Sequence, residues 1–151
     1  MMKKIFLATI VSLIFLAPVK ATHFMGGEIT WECIKSGPTQ GMYIFRLKLY
    51  RDCNGTTIGG AQTITVYNHP SVFSIPVNLI PGAPFDISPL CDPVNSGNPQ
   101  MSCVNPQQGS VEEYVYQSLP INLAGIPPAG GWHFTWDDCC RNGAISNGFA
   151  N

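Results

Sequence analysis

The amino-acid sequence predicts an all-β protein, and three observations support this. After the first 21 residues, the segments rich in apolar side chains alternate apolar and polar positions with a period of two. The chain contains 15 Gly and 13 Pro, which interrupt these segments every few residues. Helical periodicity is nearly absent. Six or so short strands at this spacing favour an immunoglobulin-like antiparallel β-sandwich.

Residues 1–21 have the pattern of a signal peptide. Two lysines precede an apolar run over 5–17, which is shorter than the ~18 residues of a transmembrane helix. Small residues precede the cleavage site expected after Ala21. An uncleaved anchor is the alternative. We expect a Sec-type exported chain whose mature module, 22–151, has no membrane span and works outside the cell or on its surface.

Composition narrows the classes of partner. The chain is 45% hydrophobic and 11% charged, which argues against a charge-driven disordered segment. Three of its eight basic residues lie in the leader, so residues 22–151 hold five basic and nine acidic residues, a net charge of about −4. No basic cluster marks a nucleic-acid surface, and we expect no nucleic-acid partner.

The first two strands are predicted to form a hairpin around the turn "SGPTQG" at 36–41. Apolar residues alternate with polar ones on both sides of it, so one face is expected to point to the core. The inward positions are Ile29, Trp31, Cys33, Phe45, Leu47 and Leu49.

Further strands are predicted over 61–68, 71–79, 112–123 and 132–140. Pro76 lacks an N–H and places its strand at a sheet edge. Residues 81–110 form a long loop. Trp132, Phe134 and Trp136 share one strand face and, with Trp31 and Phe45, are the predicted core aromatics. Because the chain stops soon after its last strand, we expect 151 residues to be the start of a longer protein with further domains.

Six cysteines in an exported domain predict disulfides first and metal ligands second. Cys91 and Cys103 bracket a loop and are the first predicted pair. Cys53 with Cys139 or Cys140 is the second. Cys33 lies near the hairpin turn and Cys53 at its open end, too far apart to bond. Cys33 and one of the adjacent cysteines are left free, or pair beyond Asn151.

No metal or cofactor is expected. Cys139 and Cys140 point to opposite faces of a strand, so a shared zinc or copper ion is disfavoured, and a disulfide between them is strained. Asp52 and Asn54 lack the later acidic ligands of a calcium loop, and an Asx turn is the favoured interpretation. His23 could bind copper as an N-terminal residue only after cleavage at a poor site.

No GxSxG motif, catalytic carboxylate pair or Cys–His dyad is present at plausible positions, so we expect no enzyme. Aromatic side chains at strand spacing are more often core than sugar-stacking platforms.

Four segments together resemble the N-terminal module of large secreted surface proteins of Bacteroidota. The segments are "HFMGGEITWECI", "YIFRLKLYRDCNG", "SVEEYVYQSLPI" and "PPAGGWHFTWDDCCRNGAISN". Such proteins often carry repeat domains and a gliding-motility-associated sorting domain of the type IX secretion route, which we expect to lie outside these 151 residues. The resemblance implies adhesion or surface architecture, with cell-surface polymers or other surface proteins as partners. The alternatives are a carbohydrate-binding module of a larger secreted enzyme and, last, the copper enzyme based on His23.

Overall fold

The computed structural model describes residues 24–89, 101–106 and 109–138. These residues form seven β-strands and contain no helix. No helix able to cross a membrane occurs in them. The strands are β1 (Phe24–Cys33), β2 (Tyr43–Asp52), β3 (Ala61–Tyr67), β4 (Ser74–Leu79), β5 (Phe85–Asp86), β6 (Val111–Ser118) and β7 (His133–Thr135).

The seven strands belong to one antiparallel sheet with the order β1-β2-β6-β4-β3-β7, and β5 pairs with β6 beside this path. The predicted all-β antiparallel class is therefore confirmed. The finer assignment to an immunoglobulin-like sandwich stays a prediction. The predicted leader 1–21 lies outside the described residues, as do His23, Cys91, Cys139 and Cys140.

The predicted hairpin of β1 and β2 is confirmed. Trp31 is the cross-strand partner of Phe45, and the pairing runs to Cys33 at the turn. Gly37 and Gly41 adopt φ of 88° and 85° in the connection, a left-handed conformation that glycine takes at little cost. The turn therefore sits where the sequence pattern places it.

The sheet curls until its two edges approach each other. The ring of Phe134 on β7 lies 4.8 Å from that of Phe45 on β2 and 6.1 Å from that of Trp31 on β1, between centroids. Phe24 and Trp136 meet edge to face at 5.1 Å. The half formed by β1, β2 and β6 thus faces the half formed by β4, β3 and β7, with the core between them.

Phe45, Leu47 and Leu49 are buried, as their alternation predicts. They join inward side chains from four other strands, namely Phe24, Ile64, Val66, Ile75, Val77, Tyr114 and Tyr116. Phe134 and Trp136 pack against this cluster as partly buried residues, and Trp132 is half-buried. Three of the five predicted core aromatics thus belong to the core or pack against it, whereas Trp132 packs on His69.

Trp31 was expected in the core, and that prediction is wrong. Its side chain is 60% exposed, and Cys33 is exposed too. Both residues lie on β1, which ends the sheet and pairs with β2 alone. One side of the Trp31 ring contacts Phe45 and Phe134, and no strand covers its other side in the described part of the chain.

The prediction that Pro76 marks an edge strand is also wrong, because β4 lies between β3 and β6. Pro76 pairs with Thr63 of β3, whereas the pairing of β4 with β6 begins only at Val77. The proline therefore sits beyond the end of the ladder with β6, where its missing N–H costs that ladder nothing.

Candidate functional site

The core has polar groups at both ends, and they differ in how they are partnered. At one end Arg51 of β2 and Glu112 of β6 are cross-strand partners that point inward. Both are buried, at 4% and 7% exposure. The Arg51 guanidinium donates to the Glu112 carboxylate and to the Gly55 carbonyl. It also lies 5.8 Å from the centre of the Tyr114 ring. At this end of the core, the buried charges of Arg51 and Glu112 therefore neutralise each other.

A disulfide between Cys53 and Cys103 closes the same end and spans 50 positions of sequence. The Cys53 N–H donates to the Ser110 carbonyl at 3.0 Å. The Asp52 carboxylate accepts the Asn54 N–H at 2.9 Å, which confirms the Asx turn favoured at this position.

The predicted pairs of Cys103 with Cys91, and of Cys53 with Cys139 or Cys140, are wrong because Cys53 and Cys103 bond to each other. Sequence reasoning could not place the segment 101–106 in space. The exclusion of a bond between Cys33 and Cys53 is confirmed, since Cys33 is a free, exposed thiol.

Asp86 on β5 holds the segment 101–106 beside this end of the sheet. Its carboxylate accepts the Cys103 N–H at 2.7 Å, and it also accepts the N–H and hydroxyl of Ser88 at 3.0 and 2.6 Å. Hydrogen bonds from the Ser88 side chain, and then from the two backbone groups, lower the pKa of Asp86 below its usual value. The Asp-x-Ser motif is the sequence signal that could have indicated this tether.

The two sulfurs and the Glu112 carboxylate lie within 4.8 Å of one another, a spacing compatible with metal ligands. The sulfurs of Cys53 and Cys103 are bonded together, and Glu112 already pairs with Arg51. A cation here would face the Arg51 guanidinium, so the arrangement favours a structural role.

The opposite end of the core is built on His69, which is 4% exposed. Its Nδ1 accepts the backbone N–H groups of Ser71 and Val72 at 3.2 and 2.9 Å. We assign the ring proton to Nε2 from these bonds, since a neutral imidazole that accepts at one nitrogen donates at the other.

Trp132 packs on His69, with ring centroids 4.6 Å apart. The Nε2 atom of His69 and the Nε1 atom of Trp132 are both buried, and neither has a hydrogen-bond partner among the described residues. Two buried N–H donors without an acceptor are costly, since each forgoes about 1–3 kcal/mol of solvation. Sequence reasoning missed His69, because an isolated histidine in a loop gives no signal of burial.

The outer surface of the sheet has a charged part and an uncharged part. On β1, β2 and β6, Lys48 bonds to Glu28 at 3.4 Å and to Glu113 at 3.2 Å, and Glu113 above all raises the pKa of Lys48. No Asp, Glu, Lys or Arg occurs between positions 53 and 85 or between 114 and 136. The strands β3, β4 and β7 therefore present an outer face without charged side chains.

Buried tyrosines complete the interior. The Tyr116 hydroxyl donates to the Gly59 carbonyl at 2.8 Å, and burial raises the pKa of Tyr116 to about 12. Burial also raises the pKa of Tyr114. Both phenols are therefore held in their neutral form at ordinary pH, as packing and hydrogen-bonding groups.

No protein-family model, curated protein or solved structure matches this chain.

Proposed function

We propose that this chain is a non-enzymatic, exported module of the cell surface that serves in adhesion or gliding-associated surface architecture. The observation that carries the proposal is the disulfide between Cys53 and Cys103. Disulfides form and persist in oxidising compartments, so this bond favours the export that the leader 1–21 predicts. The finer fold in this proposal is the immunoglobulin-like sandwich common in surface proteins.

The buried polar groups Arg51, Glu112 and Tyr116 favour a structural role over a catalytic one. Arg51 and Glu112 neutralise each other, and the tyrosine hydroxyl of Tyr116 is committed to a backbone carbonyl. Catalytic groups need a free position for a reacting atom, and these groups have their partners within the protein.

The test uses the full chain in its native host. An epitope tag inserted in the exposed turn at 36–41 should be labelled by antibody on intact cells, and deletion of the gene should reduce attachment to surfaces. Complementation with the wild-type gene should restore attachment. A tag found only inside lysed cells, with Cys53 and Cys103 reduced, would overturn the proposal.

A carbohydrate-binding module of a larger secreted enzyme is the second candidate. Its supporting observation is the exposure of single aromatic side chains, of which Trp31 is one. Trp31 is tilted by 35° from both Phe45 and Phe134, so these rings do not form one flat platform. A catalytic domain in the reading frame beyond Asn151 would favour this candidate, and surface repeats with a sorting domain would favour the first.

A further inference from the structure

We propose that the uncharged outer face of β3, β4 and β7, together with the loop 68–73, binds a neutral carbohydrate. The proposal rests on the adhesion function above and names the partner's chemistry and the surface that takes it. Its site lies around Tyr67, Phe73, His69 and Trp132.

The strand residues of this face are polar and uncharged, and the Asp137 carboxylate, which accepts the Thr135 hydroxyl at 3.3 Å, lies at its margin. Thr65 of β3 has Ser74 of β4 on one side and Thr135 of β7 on the other, so three hydroxyl side chains form a row across three strands. Alternate residues, such as Val66, point to the core and are buried. Hydroxyl groups both donate and accept, which suits them to the hydroxyl groups of a sugar.

Two exposed aromatic residues lie beside the loop, where β3 ends and β4 begins. Tyr67 is the last residue of β3 and is 49% exposed, and Phe73 precedes β4 and is 68% exposed. The Phe73 carbonyl accepts the N–H of Val66 at 2.9 Å, which holds Phe73 beside the end of β3. Aromatic faces of this kind provide flat apolar area for the C–H face of a sugar ring.

The loop that carries Phe73 is fixed from within. The His69 Nδ1 bonds to the N–H groups of Ser71 and Val72 set its turn. Asn68, in a left-handed conformation at φ 67°, begins it, and its side-chain amide approaches the Gly131 carbonyl at 3.5 Å. The loop and the turn before β7 therefore lie against each other, with Tyr67 beside them.

The two unpartnered N–H groups lie between that loop and that turn. Both His69 Nε2 and Trp132 Nε1 are donors, so the group they call for is an acceptor oxygen. They cannot share a metal ion, because Nδ1 of His69 already accepts two N–H groups and Nε2 keeps its proton. A sugar hydroxyl or ring oxygen has the lone pairs that both donors need.

An oxygen reaches these donors if the turn at 128–131 shifts. Its single backbone bond runs from the Gly131 N–H to the Pro128 carbonyl at 2.8 Å. The space around Gly130 and Gly131 is open to beyond 4 Å where a side chain would start. A shift of the turn would also break the contact of the His133 Nε2 atom on β7 with the Gly130 carbonyl, at 2.8 Å.

The charge distribution selects a neutral partner over an anionic one. Residues 22–151 carry a net charge of about −4, and this face offers no lysine or arginine to an acidic polymer. An anionic polysaccharide would therefore be repelled by the protein as a whole and would find no counter-charge at the site.

The test is affinity electrophoresis and calorimetry of the purified oxidised chain with neutral polysaccharides (glucan, mannan and xylan) and with anionic alginate. We expect binding to at least one neutral polymer and none to alginate. Tyr67→Ala and Phe73→Ala should each weaken binding about tenfold, a loss of about 1.4 kcal/mol. Trp132→Phe, which keeps an aromatic ring and removes the N–H, should weaken it by a similar factor.

Phe85→Ala is the matched control, because Phe85 is also an exposed aromatic, at 39%, but lies on β5 beside Glu113. Its affinity should equal that of the wild type. Circular dichroism and thermal melting of each variant establish that it is folded.

Several results would overturn the proposal: no binding to any neutral polymer, equal binding to alginate, or binding that survives all three site variants. If cells that lack the gene attach less well but the purified chain binds no glycan, this inference is wrong and the adhesion function is supported. Cells whose attachment is unchanged would count against the adhesion function itself.

Discussion

The two ends of the core differ in whether their buried polar side chains have partners within the protein. Each end places polar side chains inside the curled sheet, away from water. At the end that holds Arg51 and Glu112, these two buried charges pair with each other, and the disulfide links the surrounding chain. At the end that holds His69 and Trp132, two buried N–H donors stay without acceptors.

We infer that the end with Arg51 and Glu112 stabilises the fold, whereas the end with His69 and Trp132 is available to a ligand. A satisfied polar end stabilises the fold and offers little to a ligand, whereas an unsatisfied one carries a free-energy cost that a ligand can remove. The predictions that follow test this division, starting with the largest expected effect.

Glu112→Leu should destabilise the protein by about 3–5 kcal/mol, because it leaves the Arg51 guanidinium buried without a counter-charge. Urea unfolding followed by fluorescence measures the change. The double variant Arg51→Met/Glu112→Leu is the control and should recover most of the loss, since neither buried charge remains. A double variant as unstable as the single one would show that the ion pair is not the source of the effect.

Replacing both cysteines of the disulfide, Cys53→Ala/Cys103→Ala, should cost about 3–4 kcal/mol, as the bond closes a loop of 50 positions. Thermal unfolding with and without reductant measures it, and reductant should lower the melting temperature of the wild type but not of this double variant. Cys33→Ala is the control: the thiol is free and exposed, so stability should change little. Non-reducing peptide mapping that links Cys103 to any partner other than Cys53 would contradict the bond itself.

Trp136→Phe and Trp132→Phe form a matched pair that compares the two ends directly. The Trp136 N–H donates to the Gln62 side-chain oxygen at 3.1 Å, so its loss leaves an acceptor unpaired. The Trp132 N–H has no described partner, so its loss removes a penalty. Trp136→Phe should therefore be less stable than Trp132→Phe by about 1 kcal/mol or more in urea unfolding. Equal losses would mean that the Trp132 donor is satisfied.

Acid should weaken the hydrogen bond between the Cys103 N–H and the Asp86 carboxylate on β5. The hydrogen bonds to Asp86 lower its pKa below the ordinary value of 3.8, so the folded state favours the ionised carboxylate. The stability that the ionised Asp86 carboxylate contributes is fully present above about its ordinary pKa. It is lost as the pH falls through the lowered pKa. The Cys103 amide shift in proton–nitrogen NMR spectra should report this titration. Asp86→Asn should abolish it, and a titration that persists in that variant would assign it to another group.

Local pattern predicted the parts of this protein that depend on neighbouring residues. Alternation over 45–49 gave the inward face of β2, and the turn residues at 36–41 gave the hairpin. Each of these depends on side chains a few positions apart, which a strand's period of two determines. The Asx turn at Asp52 was predictable for the same reason.

Patterns failed where the outcome depended on distant segments. Trp31 alternates correctly and is still 60% exposed, because burial needed a neighbour on the open side of β1. Pro76 suggested an edge, but the point at which β6 begins to pair decided its place. Cys103 looked like the partner of the nearest cysteine along the chain until the Asp86 tether placed it against Cys53.

The sequence by itself therefore determined the class of secondary structure, the first hairpin and the centre of the core, because a period of two and glycine-rich turns act over short distances. Only the tertiary structure decided the disulfide, the exposure of β1 and the pairing of His69 with Trp132. The disulfide and the His69–Trp132 contact each bring together segments 50 or more residues apart, and the closing of the sheet on itself, which no local pattern encodes, sets their distance.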